Sequence, residues 1–161
     1  MKTLFLTGVL GYSAYMFLFG ANGFVIYPGY TSIDTKPYQS KTFQSEFQHK
    51  DYTIVPLAKF NIEARVLSRR YYSNDKEAEL SPVDLALGWG EMSRDSVIQK
   101  IDVSQRGRWY FWETSSFPIS RQEIESNSAN MHIIPANDTI IEKLKRVKPG
   151  HIIIAKGYPC G

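Results

Sequence analysis

The chain has 161 residues, of which 43% are hydrophobic and 22% charged, with a net charge of +3; that length favours one domain. Lys2 is the only charge before Asp34 and the remainder is nearly balanced, which excludes a nucleic-acid binder that works by neutralising phosphates. The single cysteine, Cys160, excludes an internal disulfide and, with no base beside it, makes a poor nucleophile.

Residues 3–27 carry no charge. As a helix they would extend roughly 37 Å, enough to cross a bilayer, and Gly8, Gly11, Gly20 and Gly23 are tolerated in such spans. Lys2 ahead of the run orients the N-terminus to the cytoplasm and exports the C-terminal remainder of the chain. A cleaved signal peptide is the competing reading, but its best cleavage site, Gly20-Ala21, would place Phe19 where a small residue is wanted. Residues 1–30 are therefore expected to be an anchor or signal peptide. Pro28-Gly29 is a turn, and the polar residues 31–50 are expected to be a tether.

The folded domain is expected over 51–161. Thr53–Leu57 suits a short edge strand, because Pro56 cannot donate to a ladder. Phe60, Ile62, Ala64 and Val66 alternate with polar residues, as in a half-buried strand. Ser81-Pro-Val-Asp84 has the form of a helix start, with Ser81 as N-cap and Asp84 closing a capping box, and Gly88-Trp89-Gly90 ends that short helix. Ser93–Ile101 reads as a second helix with Val97, Ile98 and Ile101 on one face. Asp102–Gly107 is polar and turn-like, and Arg108–Trp112 is a strand by its aromatic content.

Ser120 and Glu123 form a capping box for a third helix, with Ile119 and Ile124 as its staple. Asn137 caps a fourth, with Ile140, Ile141, Leu144 and Val147 on one face. Between these two helices, Ser128–Ala136 is expected to be a junction. His151–Ala155 is the final strand. The expected class is α+β, an N-terminal transmembrane helix followed by a small sheet with three to four short helices.

His132 is the sharpest site candidate, with Ser128 and Asn130 just before it. A serine, an asparagine and a histidine held close can bind an anion or assist a proton transfer. The same residues serve equally as helix terminators around a histidine in a structural pocket. Asp84 is a candidate acid partner, although its capping-box position already accounts for it. Trp89, Trp109 and Trp112 are candidates to line a ligand groove with Asn130. Trp109 and Trp112, three apart on one strand, must face opposite ways. No metal-ligand spacing, phosphate loop or dinucleotide fingerprint is present, so no cofactor and no metal are expected.

Asn61-Ile-Glu-Ala-Arg-Val-Leu-Ser68, Glu79-Leu-Ser-Pro-Val-Asp-Leu-Ala-Leu-Gly-Trp-Gly90, Arg106-Gly-Arg-Trp-Tyr-Phe-Trp112 and Ser128-Ala-Asn-Met-His132 stand in order over about residues 58 to 155. In these motifs the chain resembles a family of uncharacterised bacterial proteins, small and mostly membrane-associated, for which no activity is assigned. The resemblance supports the layout of an anchor followed by a domain and supplies no catalytic residue. With the uncharged run and no motif strong enough for chemistry, the chain is expected to be a single-pass inner-membrane protein of the cell envelope, held in the bilayer by residues 3–27, whose exported domain binds an envelope protein or a small ligand. The alternative is an exported hydrolase with His132 as general base, supported by Asp84, Ser128 or Asn130. Family members continue past the Pro-Gly turn with further strands, so this C-terminally shorter chain is expected to leave an open sheet edge.

Overall fold

The computed structural model describes residues 13–19, 23–29 and 32–160. Its centre is a closed five-stranded barrel. Strand β1 (Ser13–Leu18) runs parallel to β10 (Ser128–Pro135). The circuit continues antiparallel through β7 (Val83–Gly88), β6 (Lys59–Tyr71) and β11 (Ile152–Cys160), which returns to β1. β2 (Phe24–Tyr27) continues the line of β1 along the same edge of β11. Alternate residues fill the barrel: Met16 and Leu18, Ile62 and Ala64, Leu85 and Leu87, Met131 and Ile133, Ile153 and Ala155 are all buried in one cluster. Closure removes the sheet edges that would otherwise be left open.

This architecture replaces the expected α+β layout with a membrane helix. Among the described residues no helix is long and apolar enough to cross a membrane. The central part of the uncharged run forms β1 and β2, with Met16, Leu18 and Phe24 in the barrel core. The transmembrane, single-pass and inner-membrane expectations fail on this point. Residues 1–12 and 20–22 lie outside the described residues. The run misleads because β1 is covered on both faces. Phe17 packs outward under β4 (Phe47–His49) and β5 (Tyr52–Ile54) while Met16 and Leu18 face inward. A strand buried on both sides loses polar alternation and reads as continuously apolar.

The expected tether also packs on the barrel. β3 (Tyr38–Ser40) joins β6, and Ile33 is buried, its N–H donating to Ser93 Oγ at 2.7 Å. The folded unit therefore begins well before residue 51. The expected open edge at the last strand is absent, since β11 is paired on both sides. Gly157 makes this closure tight: a Cβ there would sit 2.2 Å from the Phe17 carbonyl oxygen. Gly157→Ala is expected to cost about 1–3 kcal/mol by overpacking, read as a lower urea midpoint at unchanged slope.

Two layers cover the outside of the barrel. One comprises α1 (Asp95–Ile98), the hairpin of β8 (Asp102–Arg106) and β9 (Trp109–Glu113), and α2 (Arg121–Ser126). It buries Ala86, Met92, Val97, Ile101, Tyr110, Trp112 and Ile124 together. The other is the β4–β5 hairpin, over Phe17, Ile134 and Cys160. Helix α3 (Asp138–Arg146) adds Ile140 and Leu144, with Val147 just beyond it, to the barrel core. Its last carbonyls accept from Arg69 of β6, which satisfies acceptors that a helix end leaves open. The capping box of Ser120 with Glu123 and the Asn137 cap both form.

Three local expectations are corrected. Ser81–Asp84 starts no helix, because Val83, Leu85 and Leu87 alternate into the barrel as β7. Asp102–Arg106 is strand β8. Ser128–Pro135 is no junction but the fully buried strand β10. For β7 and β10, burial of one strand face in the barrel overrides the local cap and turn signals, whereas β8 is formed by pairing with β9 in the covering layer.

Candidate functional site

The outward residues of β7 and β10 are Asp84, Ala86 and Gly88 and, opposite them, His132, Asn130 and Ser128. Ala86, Asn130 and Ser128 lie beneath the layer of α1, β8, β9 and α2. Asp84 pairs with His132 across the sheet, and its Oδ1 lies 2.8 Å from His132 Nδ1. The same oxygen accepts from Arg108 Nη1 at 3.1 Å. A carboxylate oxygen accepts, so the imidazole proton of this contact belongs on Nδ1. Asp84 is fully buried and His132 is 5% exposed. Asp84 Oδ2 is buried and meets no hydrogen-bond partner among the described residues.

Arg108 is the hub. It sits in the β8–β9 turn, where Gly107 and Arg108 take φ of 58° and 69°, the left-handed conformations that two-residue hairpin turns demand. A non-glycine residue adopts this conformation infrequently, and here the side chain is held on every side. Nη1 donates to Ser81 O at 2.8 Å as well as to Asp84, and Nη2 donates to Asp75 at 2.8 Å. The guanidinium carbon lies 3.8 Å from the centre of the Tyr72 ring, a cation–π contact. Glu77 Oε2 is 3.4 Å from Nε. Burial disfavours the charge, but hydrogen bonding to Asp75 and the field of Asp84 outweigh it and hold the arginine above its ordinary pKa.

Tyr15 roofs the imidazole at 4.9 Å between ring centres. Burial first, and the Glu77 carboxylate beside it second, push its hydroxyl up to about 12. Beyond it lies a cleft of about 280 Å³ lined by Tyr15, Tyr52, Lys76, Glu77 and Leu80. His132 is therefore separated from this cleft by the tyrosine.

Comparison with known protein families, with curated proteins and with solved structures gave no match. What the site can do is read from its geometry alone.

The site candidates divide cleanly. Asp84 and His132 come together. Ser128 does not join them: its hydroxyl donates to Ile124 O at 2.7 Å and contacts the Tyr110 hydroxyl at 2.9 Å. Asn130 is also committed, accepting from Gln105 at 2.7 Å and donating to Arg108 O at 3.2 Å. Trp89 and Trp112 are buried, whereas Trp109 is 45% exposed, as their opposite orientation on β9 requires of Trp109 and Trp112. The Trp-lined groove is thus reduced to Trp109. Cys160 is buried, and burial pushes its thiol up to about 11. Among the described residues no three His, Cys, Asp or Glu side chains gather to hold a metal ion.

Sequence reasoning misses Arg108, Tyr15, Asp75, Glu77 and Gln105. One signal for the site is present: Ser128, Asn130 and His132 alternate with Ala129, Met131 and Ile133, the period of a strand with one polar face.

Asp75 gives this network an acid limit. Its hydrogen bond to Arg108, helped by the Ala78 amide, outweighs desolvation and lowers its pKa below the ordinary value of 3.8. A depressed carboxylate stabilises the fold above its unfolded pKa, and that contribution is lost as pH falls through the lower folded value. The unaltered chain is expected to lose stability on acidification below about pH 4. Asp75→Asn should flatten part of that acid limb in unfolding curves taken at successive pH values.

Proposed function

We propose that the chain is a binding domain, and that Asp84, His132 and Arg108 form the clamp that seats the β8–β9 hairpin on the barrel. The observation that supports this most directly is the burial of the candidate catalytic groups. His132 lies beneath Tyr15, and Ser128 and Asn130 spend their hydrogen bonds on Ile124, Tyr110, Gln105 and Arg108. A hydrolase needs a nucleophile or water within reach of its base, and Ser128 is committed elsewhere. The clamp leaves the outer hairpin face free for contact: Trp109 is exposed there, and the Arg106 guanidinium lies 5.7 Å from the Phe111 ring. Aromatic and arginine side chains dominate binding hot spots. The Asn-Ile-Glu-Ala-Arg and Ser-Ala-Asn-Met-His motifs, which carry the resemblance to uncharacterised bacterial proteins, fall on β6 and β10. On this reading they mark barrel strands and no chemistry.

The 2.8 Å contact from Asp84 to His132 favours a second reading, a hydrolase with an oriented imidazole base. Hydrolysis of short p-nitrophenyl esters by the unaltered chain and by His132→Ala separates the two. The binding reading expects no saturable turnover from either, and a stability loss of about 1–3 kcal/mol in the variant, because a buried acceptor loses its donor. Saturable turnover that disappears with His132 in a folded variant would overturn it.

A further inference from the structure

Arg65, on the outer face of β6, is nine-tenths buried beneath the layer that contains α1 and β8. Its hydrogen bonds and ion pairs among the described residues run through Nη1 alone. That atom donates to Ser93 O at 3.1 Å and lies 2.6 Å from the Asp95 carboxylate. Nε is buried and meets no acceptor among the described residues. A guanidinium has five donors in a rigid fork suited to two-point contact with a carboxylate, and this one is far from saturated. Its ionic partner is poorly fixed: the Asp95 side chain is 75% exposed and can swing into water.

A cleft of about 550 Å³ opens at this point, lined by Arg65 and Asp95 and by Leu67, Ile98, Ile101, Val103 and Pro149 among others. That volume is typical of small-molecule sites, which combine apolar walls with a few placed polar groups. Leu67 shares this outer face with Arg65 by strand alternation, two residues on. One cation, one displaceable carboxylate and aliphatic walls define a ligand with one carboxylate and an apolar body. A phosphate dianion would meet a single guanidinium, and an amine would meet repulsion from it.

We propose that this cleft binds a small aliphatic carboxylate, its head group on Arg65 in the place now held by Asp95 and its chain along Leu67, Ile98, Ile101 and Val103. The proposal names a ligand class for the binding reading above and rests on it. Asp95 is then a resident competitor that holds the empty site in register.

The test is titration of the ¹⁵N-labelled full chain with sodium octanoate, followed by amide shifts, with octanol and octylamine in parallel. Saturable shifts are expected at Leu67, Ile98, Ile101 and Val103, with octanol and octylamine weaker by about tenfold or more. Arg65→Met, which keeps an unbranched apolar side chain, should lose binding by a similar factor. Asp95→Asn removes the competing charge with a side chain of the same shape and should tighten octanoate binding several-fold, in a variant whose circular dichroism matches that of the unaltered chain. Octanol binding as well as octanoate, shifts confined to another face, or an Asp95→Asn variant with unchanged or weaker affinity would each overturn the proposal. None of these outcomes bears on ester turnover, so the binding reading itself fails only in the His132 experiment.

Discussion

Asp84→Ala is expected to destabilise the chain by about 3–5 kcal/mol, the cost of leaving buried charges without their partner. The size follows from the geometry. Asp84 is fully buried, and its Oδ1 answers both Arg108 and His132. Arg108 keeps Asp75 and Glu77 at its outer side, but its inner nitrogen retains only the Ser81 carbonyl. The β8–β9 hairpin is tied to the barrel at its tip through this residue, so the loss should loosen the layer that covers Tyr110 and Trp112. For a chain of this length, each kcal/mol is worth roughly 2–4 °C, so a fall of about 10 °C in Tm is the readout. The double variant Asp84→Leu with Arg108→Met should lose less than the two single variants combined, because replacing a buried pair by apolar groups leaves no orphaned charge. A loss below about 1 kcal/mol for Asp84→Ala would mean that the contact behaves as a solvated ion pair and clamps nothing.

The legible parts of this fold are those that local chemistry decides. Phe60–Val66 shows strand alternation because one face of β6 is half exposed, and α2 and α3 announce themselves through caps whose hydrogen bonds all form. The illegible parts depend on partners distant in sequence. Ser81-Pro-Val-Asp84 satisfies the pattern of a helix start, yet its alternating Val83, Leu85 and Leu87 find a barrel interior built by four other strands. Ser128–Pro135 carries its polar residues on the outward face, where Tyr110, Gln105 and Arg108 answer them from a hairpin about twenty residues upstream. Polar residues paired in this way look, in sequence, like a loop. The pairing of Asp84 with His132 spans 48 positions. Each residue stands out in sequence by its own chemistry, and only the register of β7 against β10 joins them.

Leu18→Asp should prevent folding. Leu18 is fully buried and pairs with Gly157 on β11 and Pro135 on β10. An aspartate there would face a barrel interior formed by Met16, Ile62, Leu85 and Ile133 among others, where a carboxylate has neither water nor a partner. Burying such a group costs several kcal/mol even when it takes up a proton, which is comparable with the ~5–15 kcal/mol that holds a domain together. Phe19→Asp provides the control one residue later. Phe19 is 37% exposed and stacks on Tyr158 at 4.7 Å, so a loss of about 1 kcal/mol is expected. The contrast distinguishes a barrel strand from an anchor. If residues 13–18 were outside the folded unit, the domain from residue 51 onward would keep its cooperative unfolding with either aspartate. If they are the strand that joins β10 to β11, the inward substitution removes the cooperative transition and the outward one leaves it. Circular dichroism and urea titration of the two variants decide between these results, because Leu18 closes β1 inside the barrel while Phe19, just past the strand, is exposed.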